Sequence, residues 1–377
     1  MKILHISLYY PPHVGGIEQV AFDVVNALKD EHEQLVLCFN NKNINAVGTY
    51  NGVGVVRVGT ITKIKSQPFS DHFGISLNKI MKSFQPDVIM FHYPNPLAAH
   101  YLLRVIKKYP NVKLITFWHL DITRQKFLKK FFHTQTIDLL KYSKIIIATS
   151  PNYIDDSEYL AAQKDKCVVV PLCVSKEKTK ITDNYPELVR KIKDENKGKI
   201  ICFALGRHVP YKGMEYLIRA SSYLDDRFRV YIGGKGKLTE SLTKLAKEDN
   251  KITFLGRVPD ELASAYLGAC DIFCFPSITK NEAFGIALAE AMHFAKPVVT
   301  FQIPGSGVNF VSLKDITGLE VPNCDYIKYA EAITLLGDKP ALREKLGKAA
   351  KERADSLFTF VKFKNNIKNV INEVSKK

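Results

Sequence analysis

No apolar run in the sequence approaches the roughly 18 residues that a membrane-spanning helix needs, so no segment reads as transmembrane. The start, Met1-Lys2-Ile3-Leu4-His5-Ile6-Ser7, has too short an apolar stretch for a leader peptide. It contains His5 and soon meets Pro11-Pro12, so it reads as a buried first strand. There is no repeat at a fixed period. With 21 Gly and 17 Pro in 377 residues there is no low-complexity or fibrous bias either. The seven cysteines (Cys38, Cys167, Cys173, Cys202, Cys270, Cys274 and Cys324) are odd in number and scattered, mostly inside apolar runs. That speaks against a disulfide framework and for a reducing compartment. Cys270 and Cys274 lack a second Cys or His pair at ligand spacing, so no zinc site is read there. The G-x-G-x-x-G fingerprint is missing, which disfavours NAD. Acid is in short supply: 38 Asp plus Glu face 54 Lys plus Arg, a net charge of +16. Such an excess predicts an anionic partner, with nucleic acid, an acidic membrane surface and phosphorylated small molecules all open.

What is present is a regular alternation. Short apolar runs at 2–7, 34–39, 53–58, 87–92, 113–119, 144–150 and 167–172 read as strands. Helical periodicity fills 16–28, 76–84, 96–108, 125–142 and 151–162. Continuous apolar strands separated by helices predict a parallel sheet covered on both faces. Residues 176–199 are polar and carry no strand-like run, and the domain boundary falls in or just before them. The alternation then restarts, with strands at 199–205, 229–232, 251–255, 271–276, 297–301 and 318–321. Helices are expected at 213–222, 238–248, 260–269, 284–294 and 326–336. The expected organisation is α/β. Residues 1–175 form one doubly wound domain and 176–355 a second. A helical tail, 356–377, packs back on the first. Ligands of such sheets sit beyond the carboxyl ends of the strands, so a cleft between the domains is the expected site.

Four loops at predicted strand ends hold the residues able to do chemistry. In the stretch Asn281-Glu282-Ala283-Phe284-Gly285-Ile286 through Glu290, two acids are eight residues apart. Glu282 falls at a helix start and Glu290 about two turns on, near the same face. Amides at Phe284, Gly285 and Ile286 are then free to hold an anion. By pattern alone an amphipathic helix with an acidic cap fits equally well. Gly206-Arg207-His208-Val209-Pro210-Tyr211-Lys212-Gly213 sets two cations and two glycines at a strand–helix turn, a setting suited to phosphate but also to a solvated basic loop. Gly15-Gly16 follow the first strand, where the backbone can approach a ligand closely. Gly233-Gly234-Lys235-Gly236 reads as a tight turn. Trp118-His119-Leu120-Asp121 places a histidine at a strand end, a position that serves structure as readily as function.

Taken together, the four resemble family 4 retaining glycosyltransferases of the GT-B fold, two Rossmann-like domains facing a central cleft. Glu282 and Glu290 match that family's E-x7-E pair, Arg207 and Lys212 its diphosphate clamp, Gly15-Gly16 its glycine loop, and His119 its donor-sugar histidine. More narrowly, His92-Tyr93-Pro94-Asn95-Pro96, Trp118-His119-Leu120-Asp121-Ile122, Ser150-Pro151-Asn152-Tyr153 and Gly305-Ser306-Gly307-Val308 are similar to bacterial O-antigen mannosyltransferases. Two departures stand out: Leu172-Cys173 where a glycine usually follows the hinge proline, and Ala295 for the usual glycine before Lys296-Pro297.

The resemblance implies a hexosyltransferase that uses a nucleotide sugar, GDP-mannose by the narrower likeness, with retention of configuration. In it Glu282 contacts the donor sugar hydroxyls, Glu290 the ribose, and His119 the sugar's distal hydroxyl. Arg207 and Lys212 stabilise the leaving diphosphate together with the Gly16 amide and the Ala283, Phe284, Gly285 and Ile286 segment. The base lies near Gly256-Arg257-Val258. No Asp-x-Asp triplet occurs, so departure without a metal is expected, and no cofactor beyond the donor. The acceptor is a glycan or a polyprenyl-diphosphate-linked glycan. The basic charge gathers in 101–150, and on the helix near Arg124 the residues Lys126, Lys129, Lys130 and His133 share one face opposite Phe127, Leu128, Phe131 and Phe132. That face suits an anionic membrane surface, reached from the cytoplasmic side, or plain packing on the sheet. Competing readings are a sugar-nucleotide epimerase or phosphorolytic enzyme of the same fold, a silent partner subunit, and a nucleic-acid-binding protein. The last lacks any recognisable nucleic-acid motif, so no nucleic acid is expected as partner.

Overall fold

Strands that are buried on both faces must be apolar throughout, and the centres of two separate sheets are built that way. The computed structural model describes residues 1–13, 15–64, 67–121, 126–174, 179 and 181–376, with the side chains of 64 and 126–131 outside the description. The described chain divides into two compact units, Met1–Val170 with Phe363–Lys377, and Pro171–Lys362.

The elements of unit 1 are β1 (Lys2–Ile6), α1 (Gly16–Leu28), β2 (Glu33–Phe39), β3 (Ala46–Tyr50), β4 (Val53–Val58), β5 (Thr62–Ile64), β6 (Gln67–Phe69), α2 (His72–Ser83), β7 (Val88–Tyr93), α3 (Pro96–Ile106), β8 (Lys113–Trp118), α4 (Lys126–Tyr142), β9 (Ser143–Ala148), α5 (Pro151–Asp156) and β10 (Cys167–Val169). Its sheet runs β10-β9-β8-β7-β1-β2-β4-β3. The pairings are parallel except β3 on β4, and a small antiparallel hairpin joins β5 to β6. All six residues of β7 are buried.

Unit 2 holds α6 (Tyr185–Glu195), β11 (Ile200–Leu205), α7 (Met214–Ser221), β12 (Phe228–Gly233), α8 (Thr239–Leu245), β13 (Ile252–Gly256), α9 (Asp260–Ala269), β14 (Ile272–Phe275), α10 (Ile286–His293), β15 (Val298–Phe301), α11 (Val308–Val311), β16 (Gly318–Val321), α12 (Tyr326–Asp338) and α13 (Pro340–Leu357). The parallel sheet runs β13-β12-β11-β14-β15-β16. A last helix, α14 (Phe360–Lys376), carries Phe363, Ile367, Val370, Ile371 and Val374 buried, an apolar stripe at helical spacing.

In each sheet the winding reverses once, between β1 and β7 in unit 1 and between β11 and β14 in unit 2. Loops leaving the carboxyl ends of such neighbours diverge, and the crevice between them is where ligands of this architecture bind.

Several elements were not anticipated, among them the four-residue α11. α6 lies in the polar stretch 176–199 and buries only Ile192, so its periodicity is thin. β3 is exposed at four of five positions and follows no alternation. The β5–β6 hairpin has strands of three residues. Boundaries move too: the helix expected over 151–162 ends at Asp156, and the helix expected from 284 begins at Ile286, because Gly285 before it takes φ 92°, in the left-handed region.

Candidate active site

The reversal in unit 2 falls between the strands whose loops carry the strongest sequence signals. After β11 the chain turns through Gly206–Gly213, and after β14 through the segment that ends at α10. Two approaches lock these loops together. Gly213 has φ 60°, and a Cβ there would strike the Pro276 carbonyl. The Ile278 amide donates to the Tyr211 carbonyl at 3.0 Å.

This contact brings Lys212 to Glu282. Their charged ends form an ion pair, with side chains only 12% and 11% exposed. The Ser277 hydroxyl donates to the same carboxylate oxygen, Glu282 Oε2, at 3.0 Å. The Lys212 ammonium also lies 5.0 Å from the centre of the Phe275 ring and 5.7 Å from that of Tyr211. From the next strand end, Ser306 Oγ donates to the Glu282 carbonyl at 2.5 Å and accepts from the Val308 amide at 3.2 Å. Gly307 sits so close that a Cβ would strike the Ala283 carbonyl. Glu282 is thus fixed by its backbone from one side and by its carboxylate from two.

The other expected residues of unit 2 gather on neighbouring loops. Arg207 is exposed, with Nη2 donating to the Tyr211 hydroxyl at 3.1 Å. Gly256, at φ 68°, ends β13, and its carbonyl accepts from the Gly234 amide at 2.6 Å. A Cβ on Gly234 would strike the Gly206 carbonyl, and one on Gly233 would press on Val258 at 2.8 Å. The glycines read as a tight turn are therefore what lets three strand ends approach. Arg257 is exposed, as is Lys235 of the adjoining loop. Phe284 and Gly285 are buried, while Ala283 and Ile286 are half-buried. Because α10 starts at Ile286, the Phe284 and Gly285 amides belong to the turn before the helix rather than to its first residues. Glu290 is buried about one turn into α10, and Glu282 lies before the helix rather than at its start, so the two acids do not share a helix face two turns apart. Beside Arg207, the His208 ring is buried, its Nδ1 3.0 Å from Thr239 Oγ1, and burial lowers its pKa.

In unit 1 the glycine loop follows β1. Arg57 Nη2 donates to the Pro11 carbonyl at 2.5 Å and anchors it. A Cβ on Gly15 would strike the Glu18 carboxylate, whereas one on Gly16, which is exposed, would meet nothing within 4 Å. The Gly16 backbone is the approachable part of the loop.

His119 follows β8. Its amide donates to the Tyr93 carbonyl at 3.0 Å, continuing the parallel ladder by one residue. The turn beyond is held by Asp121, whose Oδ1 accepts from the Trp118 indole and the Ser157 hydroxyl, both at 2.9 Å. The Tyr153 hydroxyl accepts from the Asp121 amide at 2.6 Å. His119 is buried, and burial lowers its pKa from 6.5 to about 3. Its Nε2 is 3.0 Å from Nδ1 of His92, which the sequence marks within the His92–Pro96 stretch but does not pair with His119. Sequence reading also passed over the roles of Ser277 and Ser306. Lys126, Lys129 and Lys130 fall on α4, but their side chains lie outside the described residues.

In unit 2 these loops set cations and a fixed carboxylate at the carboxyl ends of a doubly wound sheet, an arrangement suited to a phosphorylated ligand. Residues 14–178 match the family described as Glycosyltransferase Family 4, and residues 187–353 match Glycosyl transferases group 1. D-rhamnosyltransferase WbpZ of Pseudomonas aeruginosa is 30% identical, the match covering 95% of this chain and 92% of that protein. O-antigen chain mannosyltransferase C of Escherichia coli is 27% identical over 95% of each chain. Among solved structures, Anabaena HepE in complex with UDP superposes with a TM-score of 0.80 at 17% identity, covering 99% of this chain and 100% of that one. The chain belongs to glycosyltransferase family 4. Its fold is GT-B, and its activity is glycosyl transfer.

Proposed function

We propose that the protein transfers a hexosyl group, mannosyl from GDP-mannose, to a glycan or polyprenyl-diphosphate-linked acceptor in the assembly of a cell-surface polysaccharide. Transfer proceeds with retention and without a metal. The observation that carries this is the Lys212–Glu282 pair, held by Ser277 and Ser306 beside Arg207. Breaking a glycosyl–diphosphate bond builds negative charge on the leaving oxygens while the anomeric carbon gains oxocarbenium character. Lys212 and Arg207 stabilise the diphosphate, with the Gly16 amide and the turn before α10. Glu282 meets the sugar hydroxyls, Glu290 the ribose, and His119 the sugar's distal hydroxyl. Gly256, Arg257 and Val258 flank the base. Attack from the face the diphosphate leaves accounts for retention. The choice of mannose rests on the names of the relatives. For the metal-free reading, the support is that no group of three or more His, Cys, Asp or Glu among the described residues is placed to hold a metal ion.

The deciding experiment is a thermal-shift series with GDP-mannose, UDP-glucose and an ADP-sugar, followed by turnover with the donor that binds. GDP-mannose should raise the transition most, and a larger shift with either other donor rejects the assignment. Turnover should persist in EDTA; loss in EDTA that Mn²⁺ or Mg²⁺ restores rejects the metal-free step. Among the described residues no helix is long and apolar enough to cross a membrane. Contact with an anionic membrane on its cytoplasmic side is proposed through Lys126, Lys129 and Lys130. Exchange of the three for Glu should lower co-sedimentation with anionic vesicles, and unchanged co-sedimentation rejects that contact.

A further inference from the structure

We propose that His92 is a positioning residue that holds His119 in the tautomer protonated on Nδ1, so that His119 offers a hydrogen-bond donor to the bound sugar. The inference rests on the reading that His119 meets the donor. It follows from which ring nitrogens have partners.

In the parallel ladder of β7 and β8, His92 stands opposite Phe117, and the rings of His92, Phe117 and His119 lie within 13° of parallel. The two imidazoles are not stacked face to face. Their centroids are 5.3 Å apart while His92 Nδ1 and His119 Nε2 are 3.0 Å apart, so the rings meet edge to edge with the bond close to the ring planes. Burial keeps both neutral, and for His92 repulsion from His119 and His5 adds to the effect. One hydrogen is therefore shared, and it belongs to one ring or the other.

Suppose it belongs to His119. His92 would then carry its own proton on Nε2. That nitrogen is buried and has no hydrogen-bond partner among the described residues. The one other buried imidazole that acts on His92 offers no relief. Gln34 donates its amide to the Val25 carbonyl at 3.0 Å, so its Oε1 must accept from His5 Nε2 at 2.8 Å. His5 Nδ1 is left as a bare acceptor, and it forms no bond with His92. A buried N–H without an acceptor is rarer and costlier than a bare lone pair. The hydrogen therefore belongs to His92 Nδ1 and is donated to His119 Nε2. His119 then carries its proton on Nδ1, which makes no hydrogen bond within the described chain while the residue keeps 6% exposure. A donor aimed at a hydroxyl oxygen is fixed in place before the sugar arrives, which is how a neighbouring group sets the working nitrogen of a histidine.

Two measurements test this on the full chain. Long-range ¹H–¹⁵N spectra of the unliganded protein, with His119 assigned through His119→Gln, should show Nδ1 protonated and Nε2 bare; the opposite pattern overturns the proposal whether or not any variant folds. His92→Phe keeps the ring packing and removes the bond, and His92→Asn restores a donor near the former Nδ1. With its thermal transition retained, His92→Phe should lower kcat/KM for the nucleotide sugar roughly tenfold, the worth of about one hydrogen bond. His92→Asn should recover most of it. Equal loss in both variants, or none in His92→Phe, overturns positioning. Failure of the underlying sugar contact has its own signature: His119→Ala would retain wild-type kinetics although the tautomer is as stated.

Discussion

Glu282 is held by contacts whose removal should be felt in rate before stability. Gly307→Ala adds one methyl group against the Ala283 carbonyl and leaves every charged residue in place. The loop must give way, and misplacement of a catalytic group by about 1 Å costs on the order of a hundredfold. We expect that loss in kcat with donor affinity and melting temperature changed far less, and a wild-type kcat would show that the close approach does not set the Glu282 geometry. Lys212→Ala leaves a carboxylate without its ion pair and, on the proposed function, withdraws a cation from the leaving group; the cost should then be on the order of 2–4 kcal/mol in transition-state stabilisation. Steady-state kinetics of Lys212→Ala beside Glu282→Gln checks this, and a near-normal rate in either variant would remove the residue from the chemistry. The buried histidines add a dependence on pH. His5 is lowered to about 4, and His92 and His119 are lowered too, all chiefly by burial. On acidification the unfolded chain takes up these protons first, near 6.5, while the fold resists. Stability of unit 1 is therefore full above about pH 6.5 and falls toward pH 4, each histidine adding a slope of about 1.4 kcal/mol per pH unit. The single tryptophan, Trp118, is buried in unit 1 and reports it selectively. Urea midpoints followed by its fluorescence should drop across that range, and a flat profile would contradict the neutral buried imidazoles.

Among the elements, strands and helices with a buried face were legible, because burial on one or both faces imposes the apolar period that sequence displays. α6 and β3 were not, since one buried residue in the first and none in the body of the second leave no period to read. The loops show the same division. Arg207, Lys212, Glu282 and Glu290 stand at recognisable spacings in the chain. Ser277 and Ser306 act only through the approach of β14 and β15, and the sequence marks His92 only as part of the His92–Pro96 stretch; its place beside His119 comes from the register with β8. α14 separates the two kinds of contact. Lys364 and Lys368 pair with Asp30 and Glu31, which are exposed and solvent-screened, so Lys364→Ala and Lys368→Ala should leave the thermal transition nearly in place. Ile367 and Ile371 are fully buried, and truncating either to Ala should cost about 2–5 kcal/mol. Calorimetry of the four variants tests the contrast; an equal effect of the lysine and isoleucine changes would refute it.

For the whole molecule, the order of the two units along the chain has a consequence for how it is made. Unit 2 is one continuous stretch, but unit 1 draws α14 from beyond it. A chain ending at Lys362 should hold a folded unit 2 and a unit 1 with open apolar surface, seen as red-shifted Trp118 emission and rapid proteolysis of the first 170 residues; native emission would show that α14 is dispensable. Domains usually fold in the order they leave the ribosome. Here that order is reversed, because residues 1–170 precede unit 2 and wait, incomplete, for a helix that emerges only after all of unit 2. While unit 2 is being made, therefore, the nascent protein carries an unfinished apolar surface on unit 1, which makes that half the natural client for a chaperone.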